Sequence, residues 1–200
     1  MNTAPSVLAR GLRTALTEPF RPDTWRRVGY LLLALPVGLL AVPLALMGGP
    51  AGRLQRGLVA RLLGRRIEEP AGGRPAALAH AVLALPLNAV GLVTTVYGWS
   101  LVPLNLGWPL RPLLGMGTGD YAEAWGGPTF AGAWALHALA GGVGFLLLMP
   151  WVGRGLTALQ ARLAVGLLGP RRIGAGRAVL LAALVAAVGT AVAVPVAHQL

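Results

Sequence analysis

The chain alternates between long apolar runs and short polar segments rich in arginine. Ala77 to Pro103, Thr129 to Val152 and Ala178 to Ala197 hold no Asp, Glu, Lys or Arg. Each reaches the roughly 20 residues that a helix needs to cross a hydrocarbon core about 30 Å thick, so each predicts a transmembrane helix. Val28 to Met47 is as apolar, but it carries Pro36 and Pro43 and ends in Gly48-Gly49-Pro50. Proline interrupts the helical hydrogen-bond ladder, so this run predicts either a kinked span or a re-entrant hairpin. The expected class is an all-α, polytopic helical membrane protein with three to four transmembrane helices and amphipathic interfacial helices.

Charge between the runs predicts orientation, because cytoplasmic loops collect basic residues. Gly48 to Leu78 holds Arg53, Arg56, Arg61, Arg65, Arg66 and Arg74 against Glu68 and Glu69. Gly153 to Arg177 holds Arg154, Arg162, Arg171, Arg172 and Arg177 with no acid. Both segments are expected in the cytoplasm. Leu104 to Pro128 sets Arg111 against Asp120 and Glu123 and is expected outside, which makes the runs flanking it an antiparallel hairpin. The N-terminal segment, with Arg10, Arg13, Arg21, Arg26 and Arg27, also prefers the cytoplasm. A single crossing by Val28 to Met47 conflicts with that preference, and the balance favours re-entry slightly. The basic stretch ahead of this run is too long for a secretory signal, and no small-residue cleavage pattern follows it.

Two segments repeat one pattern. Leu54-Gln55, Leu58 and Leu62-Leu63-Gly64, followed by Arg66-Ile67, match Leu159-Gln160, Leu163 and Leu167-Leu168-Gly169, followed by Arg172-Ile173. At about 100° per residue, Leu54, Leu58, Val59, Leu62 and Leu63 cover one half of a helix and Arg53, Arg56 and Arg61 the other. Leu159, Leu163, Ala164, Leu167 and Leu168 trace the same arc. Both copies predict amphipathic helices at the inner membrane surface, their arginine heads at phosphate level. Gly64 and Gly169 stand where a helix C-cap belongs. Leu33-Ala34-Leu35-Pro36 and Leu83-Ala84-Leu85-Pro86 precede the two copies, so the chain reads as two diverged units. The expected segments are a cytoplasmic amphipathic stretch over 1–27, a membrane domain with two hairpin-plus-helix repeats over 28–173, and a C-terminal transmembrane helix over 174–200.

These residues resemble a known family. Pro19-Phe20, Thr24-Trp25-Arg26-Arg27 and Tyr30 to Pro36, then Arg61-Leu62-Leu63-Gly64, Gly127-Pro128 and Pro150 to Leu156, resemble the membrane sensor domain found at the N-terminus of many actinobacterial sensor histidine kinases. The resemblance covers roughly Leu16 to Gly169. It implies a bundle that detects a membrane-level signal and passes it to a cytoplasmic kinase in two-component signalling. Two features depart from that pattern: the first hairpin has about half the apolar length of two spans, and another apolar run stands where a kinase is expected. A sensor of this kind signals through a partner, a histidine kinase or another membrane protein.

Composition narrows the function classes. Of 200 residues 56% are hydrophobic and 12% charged, and the 17 basic residues are all arginine. The net charge of +11 sits beside the apolar runs, which points to anionic lipid headgroups as partner and away from nucleic acid. With no cysteine, disulfides, thiol nucleophiles and thiolate metal sites are excluded. His80, His137 and His198 fall too far apart along the predicted topology to share a metal, and no cofactor is expected. No acid or arginine lies within the three uncharged runs, which weakens an ion-coupled transporter. No catalytic constellation is found, so the expected protein is not an enzyme.

The candidate signal-sensing residues are Trp108, Asp120, Tyr121, Glu123 and Trp125 in the outer segment, where rings and carboxylates can take a cationic or amphiphilic ligand, and His137 within the third run. The plainer readings are an aromatic belt at headgroup level and a histidine bonded to a neighbouring helix through Asn88, Thr94, Thr95 or Tyr97. Arg53, Arg56, Arg61, Arg65, Arg66, Arg154, Arg162, Arg171 and Arg172 are candidates for contact with lipid or a partner. Small residues spaced by four, Ala138 with Gly142 and Ala140 with Gly144, leave helix pairing and self-association open. The expected location is the inner membrane, crossed several times. The alternative is a small accessory or permease subunit of a transporter, suggested by Asn88, Thr95 and Trp99 near one face of their helix.

Overall fold

The computed structural model describes residues 7–68, 73–117, 121, 123–170, 176, 180, 183, 184 and 187. Among them the regular elements are helical and none is a strand, so the chain is all-α. α1 covers Val7–Thr17, α2 Pro22–Leu46, α3 Ala51–Leu63, α4 Gly73–Leu106, α5 Phe130–His137 and α6 Phe145–Leu168. A π-helical segment, Ala138–Gly144, joins α5 to α6, and 3₁₀ turns lie at Glu18–Phe20 and Trp108–Leu114. Pro22–Leu46, Gly73–Leu106 and Phe130–Leu168 are long and apolar enough to cross a membrane. The expected span at Ala178 to Ala197 falls largely on residues outside the described ones, as does the Arg171-Arg172 pair.

The first run is one uninterrupted helix of 25 residues, about 37 Å at 1.5 Å per residue. Pro22 occupies a position whose missing N–H has no intrahelical partner to lose, and Asp23 in the first turn faces the positive end of the helix dipole. Pro36 and Pro43 lie inside without ending the helix; such breaks are tolerated where neighbouring groups satisfy the freed carbonyls. The chain reverses only beyond Leu46, where Gly49 N–H bonds to Leu44 O. The re-entrant hairpin expected here is therefore replaced by a single long helix.

The second copy of the repeated pattern also differs from expectation. Leu159 to Leu168 is the C-terminal part of α6 and not a separate interfacial helix. Gly153 and Gly155 cost helix stability of only about 1 kcal/mol each, so the charged residues near Arg154 mark a change of surroundings without a break in the helix. α3 does form as a separate helix, closed at Gly64 by a left-handed residue with φ 67°. Its buried face is Ala51, Gln55 and Val59, with Leu58, Leu62 and Leu63 packed against the core, and Leu54 remains exposed. The apolar arc expected to meet lipid is thus largely turned to protein.

The helices gather into two compact units, Met1–Thr24 with Thr95–Val152 and Trp25–Thr94 with Gly153–Leu200. The N-terminal segment and the segment expected outside therefore belong to one unit, contrary to their expected separation. The reason is α2, which runs through where a re-entrant turn was expected.

In the first unit, Glu18 is fully buried, its backbone carbonyl accepts from Thr24 Oγ1 at 2.8 Å, and its carboxylate lies 3.5 Å from Arg21. On α1, Leu8, Leu12 and Leu16 form an exposed row at i, i+4, i+8, the kind of face that lies in a membrane interface. α4 meets the π segment closely: a Cβ on Gly141 would stand 2.5 Å from Asn105, and one on Gly142 would stand 2.6 Å from Leu106. Gly142 of the expected small-residue pairs thus serves close helix approach.

In the second unit the core consists of Tyr30, Leu31, Ala34, Ala41 and Ala45 on α2, Ala51 and Val59 on α3, Ala77 and Ala81 on α4, and Ala164 and Leu168 on α6. Alanine dominates because bundles in lipid associate by close backbone packing. Contacts of Ala34 with Asn88 and of Leu31 with Gly91 set α2 and α4 antiparallel.

Candidate functional site

The polar residues of the second unit converge. Gln55, His80, Asn88 and Gln160 are buried among the apolar side chains of α2, α3, α4 and α6. Helical spacing explains the placement: Asn88 lies two turns beyond His80 on α4, and Gln55 lies one turn from both Ala51 and Val59 on the buried face of α3. Gln160 Nε2 donates to Asn88 Oδ1 at 2.9 Å, and Asn88 Nδ2 donates to the carbonyl of Ala34 at 3.0 Å. This chain ties α6 to α4 and α4 to α2.

Beside the chain lies a cavity of about 20 Å³ lined by Tyr30, Gly38, Gln55, His80, Asn88 and Gln160 together with small apolar residues. Such a volume admits about one water-sized group. Gln55 Nε2 and Oε1, His80 Nδ1 and Gln160 Oε1 are buried with no hydrogen-bond partner among the described residues. Among the described residues no acidic or basic side chain other than His80 lines the space. A buried polar group without a partner costs about 1–3 kcal/mol, and a space of this size suits one buried water, the usual partner of such atoms.

The residues expected to sense a signal are arranged differently. Trp108 is buried, its ring edge-on to His137 with centroids 4.0 Å apart, and the Arg111 guanidinium lies 4.6 Å from the Trp108 ring centroid. His137 Nδ1 lies 2.8 Å from the carbonyl of Ala133 on its own helix, so its ring is held by α5 and Trp108 and not by the polar residues of α4 proposed for it. Tyr121 packs edge-on against Phe130 at 6.0 Å, and Trp134 Nε1 donates to Leu106 O at 3.2 Å. Trp125 is 81% exposed and Glu123 is exposed, while Asp120 lies outside the described residues. Trp108, Arg111 and His137 thus form a closed cluster, and Trp125 is the free ring.

Among the candidate lipid or partner contacts, Arg53, Arg61, Arg65, Arg66 and Arg162 are exposed and Arg56 and Arg154 half-buried. Arg53, Arg56, Arg74 and the Gly48–Pro50 turn border a second, shallower hollow where α2, α3 and α4 have their ends. Among the described residues no group of three or more His, Asp or Glu is placed to hold a metal ion.

Sequence reasoning located the repeat but passed over the cavity. Its visible trace was the glutamine shared by both copies, Gln55 and Gln160, in helices otherwise built of Leu, Ala, Gly and Arg. Comparison of the chain with protein families, with curated proteins and with solved structures finds no match.

Proposed function

We propose that this chain is a multi-pass inner-membrane protein that detects a membrane-level or extracytoplasmic signal without catalysis and regulates a partner, in the manner of two-component signalling. The observation that supports this reading is the polar cavity walled by Gln55 of α3. α3 carries that wall on one face and the exposed Arg53 and Arg61 on the other. Whatever fills the cavity bears on the position of α3, and α3 offers the arginine row to a histidine kinase, another membrane partner or anionic headgroups.

In-cell photocrosslinking from Leu54, exposed on α3, tests the reading. Capture of a histidine kinase or response regulator is the expected outcome. Capture of transporter subunits alone, or only of lipid and further copies of the chain, overturns the sensor.

A second reading, an accessory or permease subunit, is favoured by the buried row His80, Asn88, Thr95 and Asn105 along α4. Intramembrane polar residues commonly line solute paths. Under it, Asn88→Val with Thr95→Val is expected to slow solute flux through the assembled carrier. Unchanged flux removes this reading.

A further inference from the structure

The shallow hollow at one end of the second unit measures about 260 Å³, against about 20 Å³ for the buried cavity, so it has room for a polyatomic ligand. Arg53, Arg56 and Arg74 border it, and the described residues of its lining include no carboxylate. Glycines seat two of the guanidinium groups. A Cβ on Gly48 would stand 2.8 Å from Arg74 Cζ, and one on Gly52 would stand 3.2 Å from Arg56 Nη1. Bare backbone at these two positions lets the charges lie against the turn after α2 and the first turn of α3.

The backbone adds to the positive field. Gly52 with Arg53 and Gly73 with Arg74 bring the first turns of α3 and α4 to the hollow, and N–H groups there lack intrahelical acceptors and favour an anion. The C-terminal end of α2, which would oppose them, is muted. Its Pro43, Leu44 and Ala45 carbonyls accept from the Met47, Gly49 and Gly48 N–H groups.

The hollow also has a defined depth. Gly48 against Arg74 continues the antiparallel register of Ala34 with Asn88 and Leu31 with Gly91. The uncharged run Ala77 to Pro103 has its middle at Val90. With Val90 at the centre of a bilayer, Arg74 stands about 24 Å from it along the helix, beyond the roughly 15 Å half-thickness of hydrocarbon and among the headgroups. Leu32 and Leu33, Leu39 and Leu40, and Leu46 and Met47 are exposed. They recur every seven residues, so they form one apolar strip along α2 and into its turn, ending beside Gly48.

We propose that the hollow binds one phosphate group of net negative charge, the headgroup of an anionic phospholipid whose acyl chain lies on the exposed strip of α2. Guanidinium groups match phosphate oxygens with two parallel N–H bonds. A zwitterionic headgroup also carries an ammonium, and the described lining offers it neither a carboxylate nor an aromatic face. The inference rests on the membrane part of the proposed function, narrows its anionic-headgroup partner to a single site, and is independent of signalling.

Native mass spectrometry of the purified full chain in detergent, titrated with phosphatidylglycerol, phosphatidylcholine or inorganic phosphate, tests the site. One tightly held phosphatidylglycerol is expected, with affinity about tenfold weaker in Arg53→Gln and in Arg74→Gln, as for the loss of one charge-assisted hydrogen-bonding group. Both arginines are exposed, so neither substitution disturbs the core. Arg61→Gln, on α3 but outside the hollow, is expected to leave binding unchanged. Equal loss in Arg61→Gln, no loss in Arg74→Gln, or equally tight phosphatidylcholine overturns the site and leaves a diffuse attraction of lipid to arginine. Inorganic phosphate that displaces the lipid at equal concentration overturns the lipid and assigns the same arginines to free phosphate. A chain that stays soluble without detergent removes the membrane reading and the lipid with it; loss of lipid selectivity in a chain that needs detergent removes the site alone.

Discussion

Gly126→Ala is expected to lower the stability of the chain by about 2–4 kcal/mol, since it adds left-handed backbone strain of roughly 1 kcal/mol to overpacking of about 1–3 kcal/mol. Gly126 has φ +89°, and a Cβ there would stand 2.5 Å from the carbonyl oxygen of Gly132 and 2.9 Å from its carbonyl carbon. Both are backbone atoms of the first turn of α5 and cannot swing aside. That turn is fixed in addition by Gly132 N–H donating to Thr129 Oγ1 at 3.1 Å. Denaturant unfolding in detergent, followed by circular dichroism, is the measurement; an unchanged midpoint would show that α5 does not need this close approach.

The second large effect is expected at Asn88, and its sign separates two kinds of buried amide. Asn88→Ala leaves Gln160 Nε2 without the acceptor it has in Asn88 Oδ1, at a cost of about 1–3 kcal/mol, toward the lower end when the unfolded reference also lies in lipid. Gln55→Leu removes two atoms that have no partner to lose and is expected to leave stability unchanged or to raise it. The same unfolding measurement on the two variants compares them. A loss in Gln55→Leu as large as that in Asn88→Ala would mean that Gln55 is already satisfied, and the free amide assigned to it would be withdrawn.

Hydropathy made the helical class and the long apolar helices Pro22–Leu46, Gly73–Leu106 and Phe130–Leu168 legible, because bilayer thickness sets a length that an apolar run either reaches or misses. Two boundaries escaped that logic. Pro36 and Pro43 suggested a turn, yet a proline inside an apolar helix loses only local bonds, and the chain turns at Gly48–Gly49, where backbone freedom is available. The arginines near Arg154 suggested the end of a helix, yet charge reports the surroundings of a helix and not its continuity. The cavity was harder to see because its polar residues are distributed from Gln55 to Gln160 and meet only through the antiparallel register of α2 and α4. That register depends on which alanines and glycines face one another, and hydropathy does not distinguish those faces. The aromatic candidates were visible as a group, but Trp108 and Trp125 differ in burial for a reason absent from their composition: one has His137 and Arg111 to pack against.

The π segment Ala138–Gly144 makes the helix from Phe130 to Leu168 a rod with two phases. A π turn holds about one residue more than an α turn, so the side chains of the turns just beyond Gly144 are rotated by roughly 100° from the direction that α5 alone would give them. Small residues at Ala138, Ala140, Gly141, Gly142 and Gly144 make the wider turn easy to accommodate. The azimuth at which α6 presents Met149 to Gly98 of α4 is therefore an inserted one: a helix one residue shorter in this stretch would keep its hydropathy, yet would aim that side chain elsewhere.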